Sequence, residues 1–482
     1  MSENLNICLI NDSFPPEIDG VANAVTNYAD IITRAHGRAI VVTPDNPEAN
    51  DGVFAFPVLR YPSVDLTKLV GYYAGFPFSP EVQKSLVAEK FDLIHSHCPI
   101  TSTMLARSLR DRINVPVVMT YHTKFDIDIA NAVSSKLLQE EAKKILVENI
   151  SACDEIWTVS RGAGENLCSL GYEGDYIVMP NGVDFPRGRV DESLIEEVTA
   201  GFDLPEGVPV FLFVGRMMWY KGIRIILDAL KTLRENGQVF RMVFVGGGGD
   251  KKEIVAYCEE LGLSDLVFFA EPIHDRNRIR AWYCRADLFL FPSTFDTNGL
   301  VVREAAACAL ASILIAGSCA AEDVEDGVSG FLIEENAESM AAKLLELCRN
   351  PDAVKAVGEG ALRDLYISWE EAVANACRRY EIVIENYRAG KYPKHTGLTD
   401  DLIHTIAQSM DSYNRSLDFQ KARMRELTDS YRKLRDDLLA EGQRQLENLQ
   451  DGQNRLNAEI EAKQQLLRGK FDELTRYLDR FM

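Results

Sequence analysis

Short apolar runs alternate with longer amphipathic stretches through the first part of the chain. Residues 5–10, 39–43, 93–95, 115–120 and 155–159 are rich in β-branched and other apolar side chains at consecutive positions. Such runs read as strands buried on both faces. Between them, residues 23–34 and 135–150 carry apolar positions at helical spacing. This alternation predicts a parallel sheet with helices on both faces. The pattern then restarts, with five further strand candidates at 208–214, 240–245, 266–269, 288–291 and 313–316, each followed by a turn or a helix signal. The boundary is expected near residues 181–189, where MPNGVDFPRGR concentrates Pro, Asn and Gly.

A third pattern occupies the end of the chain. RAGKYPKHTG reads as a linker, and no proline follows residue 398. Met410, Tyr413, Leu417, Met424, Leu427, Tyr431, Leu434 and Leu438 fall on a seven-residue seam. The seam slips between Gly442 and Gly452 and resumes with Leu467, Phe471, Leu474, Leu478 and Phe481. A sustained heptad predicts a coiled coil or a helical hairpin. Self-association through these helices and folding back on the same chain both remain open. The division expected is a first Rossmann-like domain over 1–185, a second over 186–368, a helix over 369–388, a linker over 389–397 and a helical tail over 398–482.

Length and charge narrow the classes. A chain of 482 residues exceeds what one core holds. The net charge of −21 disfavours nucleic acid and weakens attraction to anionic lipid. Charges nearly cancel in the tail, so the acidity lies in the two domains. The ten cysteines are scattered, several within apolar runs, and no CxxC occurs. They read as reduced thiols of a cytoplasmic protein. No leader pattern opens the chain, and no apolar run reaches the roughly 18 residues of a membrane span. The expected location is the cytoplasm, with at most peripheral contact with the inner face of the membrane.

Four segments carry chemistry. FPSTFDTNGLVVREAAACAL is a strand, a polar loop and an apolar helix, with Asp296 in the loop and Glu304 eight residues on. Gly299 and Leu300 open that helix, whose unpaired N–H groups favour an anion. Asp296 as a plain helix cap and Glu304 as a solvated side chain are the competing readings. VFLFVGRMMWYKGIRIILDAL runs from a strand through Gly215 and Arg216 to Lys221 and a helix. Two cations at a glycine-bearing strand-to-helix turn suit a diphosphate. VFVGGGG, with Gly246 and Gly247, ends another strand in a way that admits close approach. Gly20, in NDSFPPEIDGVANAV, precedes the first helix.

The succession FPPxxDGVA, IHSHCP, YHT, PNGVD, GRxxxxKG and PSxxDTxGLVVxEAxA resembles the family 4 retaining glycosyltransferases over roughly residues 5–388. The resemblance implies the GT-B fold, two Rossmann-like domains facing a cleft. It implies that Arg216 and Lys221 neutralise a nucleotide diphosphate and that Gly20 lies beneath the phosphate. Glu304 would hold the ribose and Asp296 the donor sugar. Gly215, Gly246, Gly247, Asn298, Gly299 and Leu300 complete the donor site, and His122 of YHT stands near the reacting sugar. Three departures from the pattern are visible. Asp296 replaces the usual Glu, Asn298 the usual Phe, and residues 309–324 lack the usual proline and paired glycines.

The activity implied is retaining transfer of a hexose from a nucleotide sugar, UDP most commonly, to a hydroxyl of a lipid or glycan. No metal or other cofactor is expected. Asp126 and Asp128 spell DxD but follow YHTK in the first domain, away from the donor segments. The aromatic segment 66–78 is a candidate acceptor-facing loop. A nucleotide-sugar epimerase or hydrolase, and a donor-binding scaffold acting through its tail, are the alternatives. No GxGxxG opens the first strand-to-helix turn, which disfavours a dehydrogenase.

Overall fold

The computed structural model describes residues 4–17, 19–65, 73–126, 129, 135–297, 299–393, 398–448 and 454–478. In chain order the strands are β1 (Leu5–Ile10), β2 (Gly37–Pro44), β3 (Val58–Tyr61), β4 (Ser63–Asp65), β5 (Tyr73–Gly75), β6 (Leu93–Ser96), β7 (Val117–Tyr121), β8 (Glu155–Thr158) and β9 (Ile177–Val178) in the first lobe. The second lobe contains β10 (Val210–Val214), β11 (Arg241–Val245), β12 (Val267–Ala270), β13 (Leu288–Phe291), β14 (Ser312–Ile315) and β15 (Phe331–Ile333). The first sheet has the order β3-β2-β1-β6-β7-β8-β9 and the second β12-β11-β10-β13-β14-β15. Every pairing within these two sheets is parallel. The strands read from the apolar runs are all present. Five were not legible: β4, β5, β9 and β15 offer only two or three residues, and β3 is mostly half-buried with Arg60 in its run, which breaks the apolar signal.

Each sheet reverses its winding once, between β1 and β6 in the first lobe and between β10 and β13 in the second. Loops at the carboxyl ends of strands diverge at such a point and leave a crevice. The five residues of β10 are all buried, and Phe211, Phe213, Phe240, Phe244, Phe289 and Phe291 fill the second core around them. The first helix spans Gly20–Ile31, starting three residues before the apolar periodicity suggests, because Asp19 caps it by accepting from the Val21 and Ala22 N–H groups. It continues into a π-helical turn at Ile32–His36.

The helix Trp369–Arg388 returns to the first lobe, with Trp369, Ala372, Val373, Ala376 and Tyr380 buried in one cluster with β1 residues. Tyr380 stacks on Trp157 at 5.2 Å between ring centroids, and Arg379 pairs with Glu155 at 2.6 Å.

Residues from Asp401 onward form a separate compact unit. Its helices are Leu398–Asn448 and Asn454–Leu478. The first continues through Gly442, where the heptad slips. Leu427, Tyr431, Leu434 and Leu438 are exposed, whereas Thr428 is buried and Met424, Arg435 and Leu439 are half-buried. Met424 thus keeps to the heptad seam, but from Thr428 to Leu439 the buried row lies one position away from it. Leu467 and Leu474 are exposed as well. The side chains of Met410, Tyr413, Leu417 and Leu478, and Phe481 entirely, fall outside the described residues. None of the ten cysteines forms a disulfide. Among the described residues no helix is long and apolar enough to cross a membrane.

Candidate functional site

The carboxyl ends of both sheets open onto one cavity of about 1050 Å³. Ligand pockets generally span about 300–1,000 Å³, so this one is at the large end of that range. Gly20 comes to it from the turn after β1. Gly215, Arg216 and Lys221 come from the turn after β10, and Asp296, Gly299 and Leu300 from the loop and helix after β13. His122, just past β7, completes the set. Residues up to 280 positions apart in sequence thus share one space.

Local backbone chemistry sets these positions. Lys221 ends a short 3-10 turn, and Gly222 follows it at φ +76°. A Cβ on Gly222 would stand 2.0 Å from the Pro292 carbonyl oxygen. Glycine there lets the turn carrying Lys221 press against the exit of β13, which carries Asp296. Lys221, 7% exposed, reaches Asp296 Oδ1 at 2.6 Å, and Ser293 donates to Oδ2 at 2.6 Å. Asp296 therefore does not cap the helix that follows. Gly299 occupies that cap at φ +57°, with no side-chain hydrogen bond. The N–H groups of the first turn remain available to an anion.

Glu304 is buried on that same helix but does not line the cavity. Arg276 pairs with its Oε1 at 2.6 Å, and the Tyr283 hydroxyl donates to its Oε2 at 2.9 Å. Burial, reinforced by Glu304, pushes the Tyr283 hydroxyl well above its ordinary range. Gly246 and Gly247 also lie outside the lining. A Cβ on Gly246 would meet the Gly215 carbonyl oxygen at 2.1 Å. The glycine run makes room for the turn that bears Arg216. Asn298 falls outside the described residues, as do Asp128 and residues 66–72 of the aromatic segment. Asp126 accepts from Asn166 at 3.3 Å and is not among the lining residues.

Three histidines stand in a row, of which His97 and His122 line the cavity and His95 lies behind them. His95 Nδ1 is 2.6 Å from the Tyr380 hydroxyl and its Nε2 is 2.7 Å from Thr120 Oγ1. Its ring lies 3.9 Å from that of His97, whose Nδ1 is 3.0 Å from His122 Nε2. Burial pushes the His122 pKa down to about 3. His95 and His97 are likewise held well below the ordinary range, by burial first and by neighbouring histidines second. All three are neutral near pH 7, so one ring of the His97–His122 pair donates and the other accepts. His122 is thus a fixed, uncharged ring.

Sequence reasoning quoted HSH without assigning a role to His95 or His97. Their alternate spacing at the end of a strand is the signal that places both on one face. It also missed the ties between the lobes. The Thr297 hydroxyl donates to the His122 carbonyl at 2.8 Å, and the Ser160 hydroxyl donates to the Thr297 carbonyl. Lys124 reaches the Thr294 carbonyl at 3.4 Å. Glu322 accepts from the Arg161 N–H at 2.6 Å and from the Gly162 N–H, at the start of the helix Arg161–Ser169.

Residues 18–187 match the model of Glycosyltransferase Family 4, and residues 195–364 that of Glycosyl transferases group 1. The chain is similar to a D-inositol 3-phosphate glycosyltransferase of Xylanimonas cellulosilytica, with 28% identity over 59% of this chain and 70% of that one. It is similar to an alpha-monoglucosyldiacylglycerol synthase of Streptococcus pneumoniae, with 21% identity over 72% of this chain and 79% of that one. Among solved structures, Anabaena HepE in complex with UDP superposes with a TM-score of 0.61 at 18% identity, covering 78% of this chain and all 100% of the other. A sucrose-phosphate synthase from Thermosynechococcus elongatus gives 0.59 at 19% identity, over 79% of this chain and 99% of the other. At these identities the structural likeness shows the fold.

Proposed function

The chain belongs to the family 4 glycosyltransferases, enzymes of the GT-B fold that transfer sugars, and we propose that it moves a hexose from a UDP-sugar to a lipid or glycan hydroxyl with retention at the anomeric carbon. The observation that carries this reading is the meeting of Arg216, Lys221, Gly20, His122 and Asp296 around one cavity. The donor's diphosphate lies by Arg216, Lys221 and the open turn at Gly299. Its sugar extends toward Asp296 and His122.

The step is a substitution at the anomeric carbon. The bond from that carbon to the phosphate oxygen breaks while the bond to the acceptor oxygen forms on the same face. The acceptor's proton passes to the departing phosphate oxygen. Charge grows on the diphosphate, and the buried Lys221 together with the exposed Arg216 stabilises it electrostatically. Asp296 holds Lys221 at the cavity until the diphosphate competes for it. His122, uncharged, orients the sugar by hydrogen bonding and takes no proton. With two cations meeting the diphosphate, the reaction proceeds without a metal. The enzyme acts in the cytoplasm, with peripheral contact with the membrane when the acceptor is a lipid.

The test is a panel of nucleoside diphosphates and their hexosides. UDP at about 100-fold its Kd should stabilise the protein by about 2.7 kcal/mol. UDP-hexose should yield a product of unchanged anomeric configuration, equally in EDTA. No stabilisation by any nucleoside diphosphate would sink the reading; loss of turnover in EDTA, restored by Mg²⁺ or Mn²⁺, would sink its metal-free part.

A further inference from the structure

One wall of the cavity, apart from the donor residues, belongs to the first lobe. It is built from Met104 on the helix Thr101–Ile113, Phe125 beyond β7, and Ala142, Ile145, Leu146 and Asn149 on the helix Lys136–Ser151. Asn149 is the polar member of this group, and its amide is already committed. Its nitrogen donates to the Pro99 carbonyl at 2.5 Å and the Ile100 carbonyl at 3.1 Å, and its oxygen accepts from Arg107 at 2.8 Å. This wall presents hydrocarbon to whatever lies against it.

The apolar surface continues outward. Leu138, Ala142, Ile145 and Asn149 follow one another at helical spacing, so they form one row along the helix. Asn149 is buried, Ile145 is 56% exposed and Leu138 is 59% exposed. The row therefore runs from the inside of the cavity to solvent. Lys143 and Lys144, beside it, are paired with Glu140 and Glu141 at 2.9 and 2.8 Å. Neighbouring charge is internally balanced and offers no anion site. Scattered exposed leucines need no explanation. These two differ because they extend the lining of a cavity.

Resting on the glycosyltransferase reading, we infer that this row is the subsite for the aliphatic chain of an amphiphilic acceptor. The reacting hydroxyl must reach the space between His122 and Asp296. The rest of the acceptor then meets Met104, Phe125 and Ile145, which shed water in favour of methylenes and give a glycan's hydroxyls no partner. The chain leaves along Ala142 and Leu138.

The experiment is a titration of glucose and its butyl, octyl and dodecyl glucosides, below micelle formation, with the protein saturated with UDP. Affinity should rise with chain length, up to about fourfold per fully buried methylene. Leu138→Asp and Ile145→Asp, at sites more than half exposed, should flatten that dependence by at least tenfold at the octyl glucoside. Equal binding of glucose and octyl glucoside would overturn the inference, as would unaltered chain-length dependence in Ile145→Asp. UDP affinity, read in the same titration, tests the donor reading separately. It should be the same in both variants, and its absence in the unmodified protein would count against the enzyme reading alone.

Discussion

Lys221 and Asp296 are 75 positions apart in sequence, yet the ammonium lies 2.6 Å from the carboxylate within the cavity. The pair holds a nearly buried lysine at the crevice before any donor arrives. A donor diphosphate then competes with Asp296 for the same cation.

Removing either partner should separate the two roles. Lys221→Ala should lower kcat/KM for the donor by about 10²- to 10³-fold, the usual loss for one preorganised electrostatic group. Asp296→Asn should bind UDP at least as tightly as the unmodified protein, because the competing anion is gone, while transfer falls. Calorimetric titration with UDP decides this. Weaker UDP binding in Asp296→Asn would mean that the carboxylate supports the diphosphate site instead of competing with it.

Glu304 accepts from both Arg276 and Tyr283, and the Tyr283 side chain is fully buried. Glu304→Ala leaves that hydroxyl without an acceptor, which costs about 1–3 kcal/mol. Glu304→Gln keeps an acceptor and should recover most of the loss. Urea unfolding midpoints of the two variants are the measurement. If Glu304 also holds the ribose, Glu304→Gln should raise the donor KM even where stability is restored.

His95, His97 and His122 impose a pH dependence on stability. Each has a folded pKa depressed by burial, about 3 for His122. An unfolded histidine titrates near pH 6.5. Between those values the unfolded chain binds protons that the folded protein does not. Stability from these groups is therefore complete above about pH 6.5 and falls as the pH drops toward 3, by up to about 1.4 kcal/mol per pH unit for each ring. Replacing His97 with Gln should reduce the slope by one ring's share. An unfolding midpoint flat between pH 7 and 5 would show that the rings are not buried in the neutral form.

Glu322, from the second lobe, accepts two backbone N–H groups at the start of a first-lobe helix. Glu322→Ala should lose about 1 kcal/mol of this cap-like contact. Amide exchange should then accelerate at Arg161 and Gly162, and the donor KM should rise, because the loop carrying Asp296 is tied down across the same boundary. Unchanged exchange at those two amides would show that the lobes separate freely without it.

Apolar runs and their spacing sufficed for ten strands of the two parallel sheets, all but β3, β9 and β15, since a strand buried on both faces must be apolar at consecutive positions whatever surrounds it. The turn at Arg216, Lys221 and Gly222 was equally legible, because glycine and two cations at a strand exit form a local signal. Which groups would meet was a different matter. The pairing of Lys221 with Asp296, the withdrawal of Glu304 to Arg276 and Tyr283, and the row of His95, His97 and His122 join segments from different strands. Periodicity along one strand or helix carries no information about its distant neighbours. The tail shows the same limit from the other side. Its heptad foretold helices, but Thr428 is buried where Leu427 and Leu434 are not, because burial depends on what a helix packs against and not on its sequence alone.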